Sequence, residues 1–211
     1  MHTASRTRYI VGALLALGFA AAAVPSHAVQ KGDWLIRGGL GHVAPTGESG
    51  TVPVVGGRVE ADDSTNLAVH FTYILSDNMG VELLGALPFS HDLTHDSLGK
   101  VETKELPPTL ILLYNFSPKS GVRPYAGIGL NYTTFFSEKT TGVLAGTSLR
   151  LDDSFGLAVE AGVDVDINKD WFFNASLWRM DIDTEADSSL LGKFDVAIDP
   201  WALFVGVGKR F

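Results

Sequence analysis

From residue 33 onward, apolar side chains recur at every second position over long stretches, as in strands with one face on an apolar surface. Between Ser154 and Asp166, Phe155, Leu157, Val159, Ala161, Val163 and Val165 alternate with Gly156, Ala158, Glu160, Gly162, Asp164 and Asp166. Leu67, Val69, Phe71, Tyr73 and Leu75 do the same against Asn66, Ala68, His70, Thr72 and Ile74, and Trp201, Leu203, Val205, Val207 and Phe211 against Ala202, Phe204, Gly206, Gly208 and Arg210. The period predicts eight strands, near residues 33–42, 65–75, 79–89, 106–116, 123–136, 154–166, 171–183 and 194–211.

The second face is rich in Gly and Ala and poor in Lys, Glu and Thr, which does not suit the outside of a soluble sandwich. Small residues fit the cramped interior of a narrow closed barrel. The apolar face, edged by Trp34, Tyr73, Tyr114, Phe116, Tyr132, Trp171, Trp201 and Phe211, fits lipid. Short connections (76–78, 117–122, 167–170) alternate with longer ones (43–64, 90–105, 137–153, 184–193). The expected fold is therefore all-β: an eight-stranded antiparallel transmembrane β-barrel with periplasmic turns and termini and longer extracellular loops.

Composition sharpens this picture. Of 211 residues, 45% are hydrophobic and 19% charged, which excludes a disordered chain, and the absence of cysteine excludes disulfides and thiolate-held metals. Arg6 and Arg8 precede the uncharged run from Tyr9 to Val24, and Ser26-His27-Ala28 resembles a cleavage site. Residues 1–28 thus read as a secretory signal peptide and 29–211 as the barrel. Cleavage removes two basic residues and no acidic one, moving the formal net charge from −8 to −10, which argues against nucleic acid as a partner. Past residue 28 the longest stretch free of Asp, Glu, Lys and Arg is 124–137, too short for a spanning helix.

Five runs, Phe71–His91, Leu106–Phe116, Arg123–Phe136, Gly162–Thr184 and Ile198–Phe211, resemble the OmpW family of outer-membrane proteins, which includes the AlkL-like alkane-uptake proteins. The resemblance implies an eight-stranded barrel whose apolar pocket passes small hydrophobic molecules from outside into the bilayer. It also implies that Phe211, with Leu203, Val205 and Val207, is the signal read by the barrel-assembly machinery. Lys209 departs from the family, which usually has an aromatic residue there; a lysine at the interface snorkels at little cost.

Parity sends Arg37, Glu82, Arg123, Glu160, Asp164 and Arg210 into the lumen, all near the periplasmic end except Glu160, which sits higher. In so narrow a barrel they read as a mutually neutralising plug, with a proton or ion path as the alternative. Leu84, Ala86, Pro88, Ile111, Trp178 and Met180 fall in the outer half and read as an apolar pocket, or simply as core packing. Pro107 and Pro108 donate no ladder hydrogen bonds, so a lateral gap is expected there. His91 and His95 have the spacing of a metal pair, but in a polar loop with Asp92 and Asp96 they read as solvated, and no metal or cofactor is expected.

Three functions remain. Uptake of small hydrophobic molecules by a lateral route ranks first. A structural or adhesive barrel without transport comes second, and a lipid-modifying enzyme last, since His70 and the loop histidines are the only bases offered and no catalytic residue is assigned. The expected partners are outer-membrane lipids, lipopolysaccharide, small hydrophobic molecules and the assembly machinery.

Overall fold

A computed structural model describes residues 28–46, 56, 59–95 and 98–211; the expected leader, except Ala28, lies outside them. The strands are β1 (Trp34–Ala44), β2 (Glu60–Ala61), β3 (Ser64–Ser76), β4 (Met79–Ala86), β5 (Phe89–His95), β6 (Gly99–Leu106), β7 (Thr109–Asn115), β8 (Val122–Thr140), β9 (Leu149–Leu151), β10 (Ser154–Asp166), β11 (Trp171–Met180), β12 (Asp183–Ser188), β13 (Gly192–Ala197) and β14 (Trp201–Arg210).

Eight of them, in the order β1, β3, β4, β7, β8, β10, β11 and β14, pair antiparallel with their neighbours, and β14 pairs with β1 to close the ring. Closure leaves no strand edge in the wall, the condition for crossing lipid with β-structure. The chain end completes the seam: the Phe211 N–H donates to the Trp34 carbonyl at 2.9 Å, and the Trp34 N–H to the Phe211 carbonyl at 3.1 Å.

The apolar face is the outer one, as the alternation requires. Leu40, Leu67, Phe71, Leu83, Leu110, Leu112, Ile128, Leu157, Val159, Phe173 and Val205 are exposed, with Trp34, Tyr114, Phe116, Trp171 and Phe211 around the short-turn end and Tyr132, Phe155 and Trp201 around the other. Lys209 lies over the rings of Trp171 and Phe211, at 5.6 and 4.6 Å from their centroids, which holds its charge at the lower aromatic girdle. Inside, Gly162 and Gly208 make room for larger neighbours, because a Cβ at either would overlap Tyr125 or Phe172.

Beyond the belt the structure departs from the expected long loops. The segment expected as loop 90–105 is the hairpin β5–β6, and β6 runs on along the upper half of β8. The segment 184–193 belongs to the hairpin β12–β13, which with β9 makes a second small sheet. The expected strand 194–211 is two strands, broken at 198–200, where Asp199 has φ 39° and Pro200 cannot donate to a ladder. These outer sheets extend the apolar core upward, with Leu93, Val101, Leu144, Leu151, Ala186, Leu191 and Val196 buried.

Candidate functional site

The lower lumen is an ion-paired floor. Arg37 on β1 is 1% exposed and grips Asp164 on β10 with two hydrogen bonds, from Nε at 3.1 Å and Nη2 at 2.9 Å. Its Nη1 donates to Glu82 on β4 at 2.7 Å. Arg123 on β8 donates to Asp166 at 2.6 Å, and Arg210 on β14 lies 3.5 Å from the same carboxylate. The guanidiniums stack with rings across the lumen: Arg37 lies 5.2 Å from the Tyr125 centroid, and Arg37 and Arg123 each lie 5.5 Å from that of Phe172. Thr72 bonds Glu82 and Asn174 bonds Asp164, completing the layer.

Parity thus placed all six expected charges correctly on the inner face, and the structure gathers five of them into ion pairs. Glu160 differs: it accepts from Tyr125 Oη at 3.1 Å and forms no ion pair among the described residues. Asp166, His70, Thr72, Tyr125 and Asn174 share the inward parity but were not counted in the expected plug. With guanidinium and aromatic planes filling this section, single-channel recordings of the purified barrel in a planar bilayer are expected to show no steady large conductance. A stable open level would mean that the layer is hydrated.

Above the floor the lumen turns apolar. Leu84, Ala86, Phe89, Pro107, Trp178, Met180, Ala202 and Phe204 surround a cavity of about 30 Å³, with His70 among its lining residues. That volume admits water but no hydrocarbon, so any larger guest has to displace side chains. Trp178 is 1% exposed, its indole N–H donating to Ser176 Oγ at 2.9 Å. Ile111 is buried in the same apolar cluster but does not line the cavity. Pro88 does not line it either. The alternation slips between Leu87, which is exposed, and Phe89, which is buried, so Phe89 takes the inward place that strict parity gave to its neighbour.

The slip belongs to an interruption of the pairing ladder. The β4–β7 ladder ends at Leu84↔Thr109, and the continuation of the same two chain segments resumes at Phe89↔Glu105, offset by one residue. Four residues, 85–88, therefore face three, 106–108. Extending the lower register by two residues sets Pro107 opposite Ala86, where proline has no N–H to give. Pro107 is buried against the cavity, and Pro108 is exposed on the lipid side, its carbonyl still accepting from Tyr132.

The apolar cluster continues upward without interruption from Trp178, Met180 and Phe89 to Leu93, Val101 and the outer sheets. His91 and His95 lie on its inward side of β5 and are buried, which overturns their expected solvation. They sit at alternate positions with Leu93, so the polar residues between them had hidden a strand. His91 lies 2.6 Å from the Asp62 carbonyl through Nδ1 and 3.4 Å from Glu105 through Nε2, and His95 lies 2.9 Å from the Gly56 carbonyl. Burial draws the His91 pKa down, but the adjacent Glu105 carboxylate outweighs it, and the pKa stands above its ordinary 6.5. Because the folded value is raised, this pair stabilises β5–β6 fully below about pH 6.5 and loses its effect as pH climbs through the raised pKa. Limited proteolysis of the hairpin is accordingly expected to be slow at about pH 6 and to quicken above neutrality. A His91→Gln protein should cleave at a rate independent of pH over that interval; an equal response in both would remove the assignment.

A closed eight-stranded barrel with an outward apolar belt and an internally neutralised lumen defines the small outer-membrane β-barrel class. Comparison narrows it: the OmpW family profile matches residues 30–211, and the chain belongs to that family. It is 40% identical to outer membrane protein W of Vibrio cholerae serotype O1 over 210 residues, covering 93% of this chain and 97% of that one. The crystal structure of OprG from Pseudomonas aeruginosa superposes with a TM-score of 0.81 at 40% identity, covering 87% of this chain and 98% of that one. A protein of Pseudomonas aeruginosa named dibenzothiophene metabolism operon protein PahQ is 28% identical over 196 residues, covering 86% and 90%. The protein is one of the bacterial outer membrane.

Proposed function

We propose that this barrel takes small hydrophobic molecules from the cell exterior into the outer membrane, entering through the apolar column and leaving sideways between β4 and β7. The observation that carries the reading is the position of the ladder break: it opens onto the apolar cavity, immediately above the ion-paired floor. A molecule in that cavity has charge beneath it and lipid beside it. The barrier outside is the hydrated sugar layer, since lipid tails already accept an apolar guest at about 0.8 kcal/mol per CH2. A lumen matching the tails in polarity suffices to bypass that layer. The relative named for dibenzothiophene metabolism supports an apolar aromatic molecule as the guest.

In this reading the lower-lumen charges Arg37, Glu82, Arg123, Asp164 and Arg210 are the plug. Leu84, Ala86, Trp178 and Met180 form the pocket wall, and Pro107 and Pro108 mark the exit. The outward row Leu203, Val205, Val207 and Phe211 is offered to the assembly machinery, and lipid and lipopolysaccharide surround the belt. The route is tested by Pro107→Val, which returns an N–H opposite Ala86. Entry of a short alkane or monoterpene, at equal surface expression, should fall in this variant while the folded barrel persists. Normal uptake in Pro107→Val and in the pocket variant Trp178→Asp together would replace transport by a structural role.

A further inference from the structure

Where the ion-paired floor meets the apolar cavity lies a group of side chains carrying polar atoms that neither part engages. His70, Glu82 and Glu160 each place one candidate ligand atom within 4.8 Å of the others, and all three residues are buried. Glu82 Oε1 stands 2.9 Å from His70 Nδ1, while its Oε2 accepts from Arg37 and Thr72. A carboxylate so engaged only accepts, so His70 Nδ1 carries a proton, and in the neutral imidazole Nε2 presents its lone pair. Yet among the described residues Nε2 has no hydrogen-bond partner, and neither has Glu160 Oε2, although His70 is 0% and Glu160 3% exposed. Two buried polar atoms without a partner are costly to desolvate.

The charges lead to the same place. Arg37 is committed to Glu82 and Asp164, and Arg123 and Arg210 lie against Asp166. Glu160 is the lumen carboxylate left over. We propose that His70 Nε2 and Glu160 Oε2 bind one divalent transition-metal cation of the zinc type, with Glu82 orienting the imidazole from behind.

An imidazole paired with a carboxylate favours zinc, cobalt or nickel over calcium and magnesium, which take oxygen ligands. A histidine whose other nitrogen donates to a carboxylate is the usual arrangement behind such ions. Two positions of a four-coordinate ion would remain open, and the cavity that His70 helps line has room for water there. Ring contacts hold the imidazole in place: Phe204 lies 4.2 Å and Trp178 5.4 Å from it, centroid to centroid. An ion at this level would tie β3 to β10 across the lumen.

The full barrel, stripped of metal and refolded in detergent with Zn2+ or Co2+, provides the test. Bound zinc is counted after removal of free ion, and cobalt is read by its visible absorption. One equivalent per barrel is expected in the wild type. His70→Gln and Glu160→Gln should each weaken binding tenfold or more, whereas His91→Gln, in the outer hairpin, should not change it. The heat-modifiable gel mobility of folded barrels verifies that each variant is closed, and Glu160→Gln keeps the shape of the side chain. Absence of a tightly held equivalent in the wild type, or equal binding in all four proteins, overturns the site. The first result, with an infrared band of a protonated Glu160, would show that a proton occupies the position instead.

Discussion

Replacing Arg37 with Met is expected to destabilise the folded barrel by about 3–5 kcal/mol, measured as a shift in reversible urea unfolding from lipid vesicles. Arg37 is bonded to two carboxylates on different strands, and Glu82 and Asp164 are both 0% exposed. Methionine fills much of the volume but leaves both acids without the cation between them. Such uncompensated burial is what makes breaking a buried pair far more costly than the pair is worth in itself. The additional substitutions Glu82→Gln and Asp164→Asn in the Arg37→Met background should recover much of the loss, because they remove the repelling charges. A small change in Arg37→Met alone would mean that water reaches the floor.

Trp178→Asp should lower hydrocarbon entry tenfold or more. The indole is buried in the cavity wall beside Leu84 and Met180. A carboxylate there draws water, and an apolar guest then has to strip polar groups at roughly 2–7 kcal/mol, where about 1.4 kcal/mol already corresponds to a factor of ten. Trp178→Ala separates the two properties of the indole. It removes bulk without adding charge, and because the resting cavity is only about 30 Å³, entry should be maintained or raised. Initial rates of uptake of a monoterpene into cells with matched surface levels decide the matter. Equal rates in Trp178→Asp and wild type would place the route elsewhere.

Which parts of this architecture could be read before the coordinates follows from what alternation encodes. Parity reports facing, so the inward placement of Arg37, Glu82, Arg123, Asp164, Trp178 and Met180 was legible wherever strands stay regular. It fails at an irregularity. Between Leu84 and Phe89 one segment supplies four residues against three, and Pro88 lost its inward place to Phe89 for that reason. Facing also does not name partners: Arg37 meets Asp164, 127 positions away, because β1 and β10 lie across the lumen from each other, and only barrel closure brings them together. The outer hairpins escaped notice because they alternate polar with polar, as in Ser90-His91-Asp92, and their inward histidines do not register as apolar. The Asp199-Pro200 break in the last predicted strand was readable from the dipeptide alone.

The floor joins β1, β4, β8, β10 and β14, elements drawn from both ends and the middle of the chain. The Arg37–Asp164 bonds span 127 residues and the others 43 to 45, and because all of them tie separate strands together inside the lumen, loop-closure entropy opposes them until most of the wall is in place. In kinetic terms this layer is a late event, absent from the transition state. Substitutions at Arg37 or Asp164 should then leave the rate of barrel formation nearly untouched and speed unfolding instead. The floor acts as a latch on the finished barrel, and the lifetime of the closed state in the membrane depends on it more than the ease of insertion does.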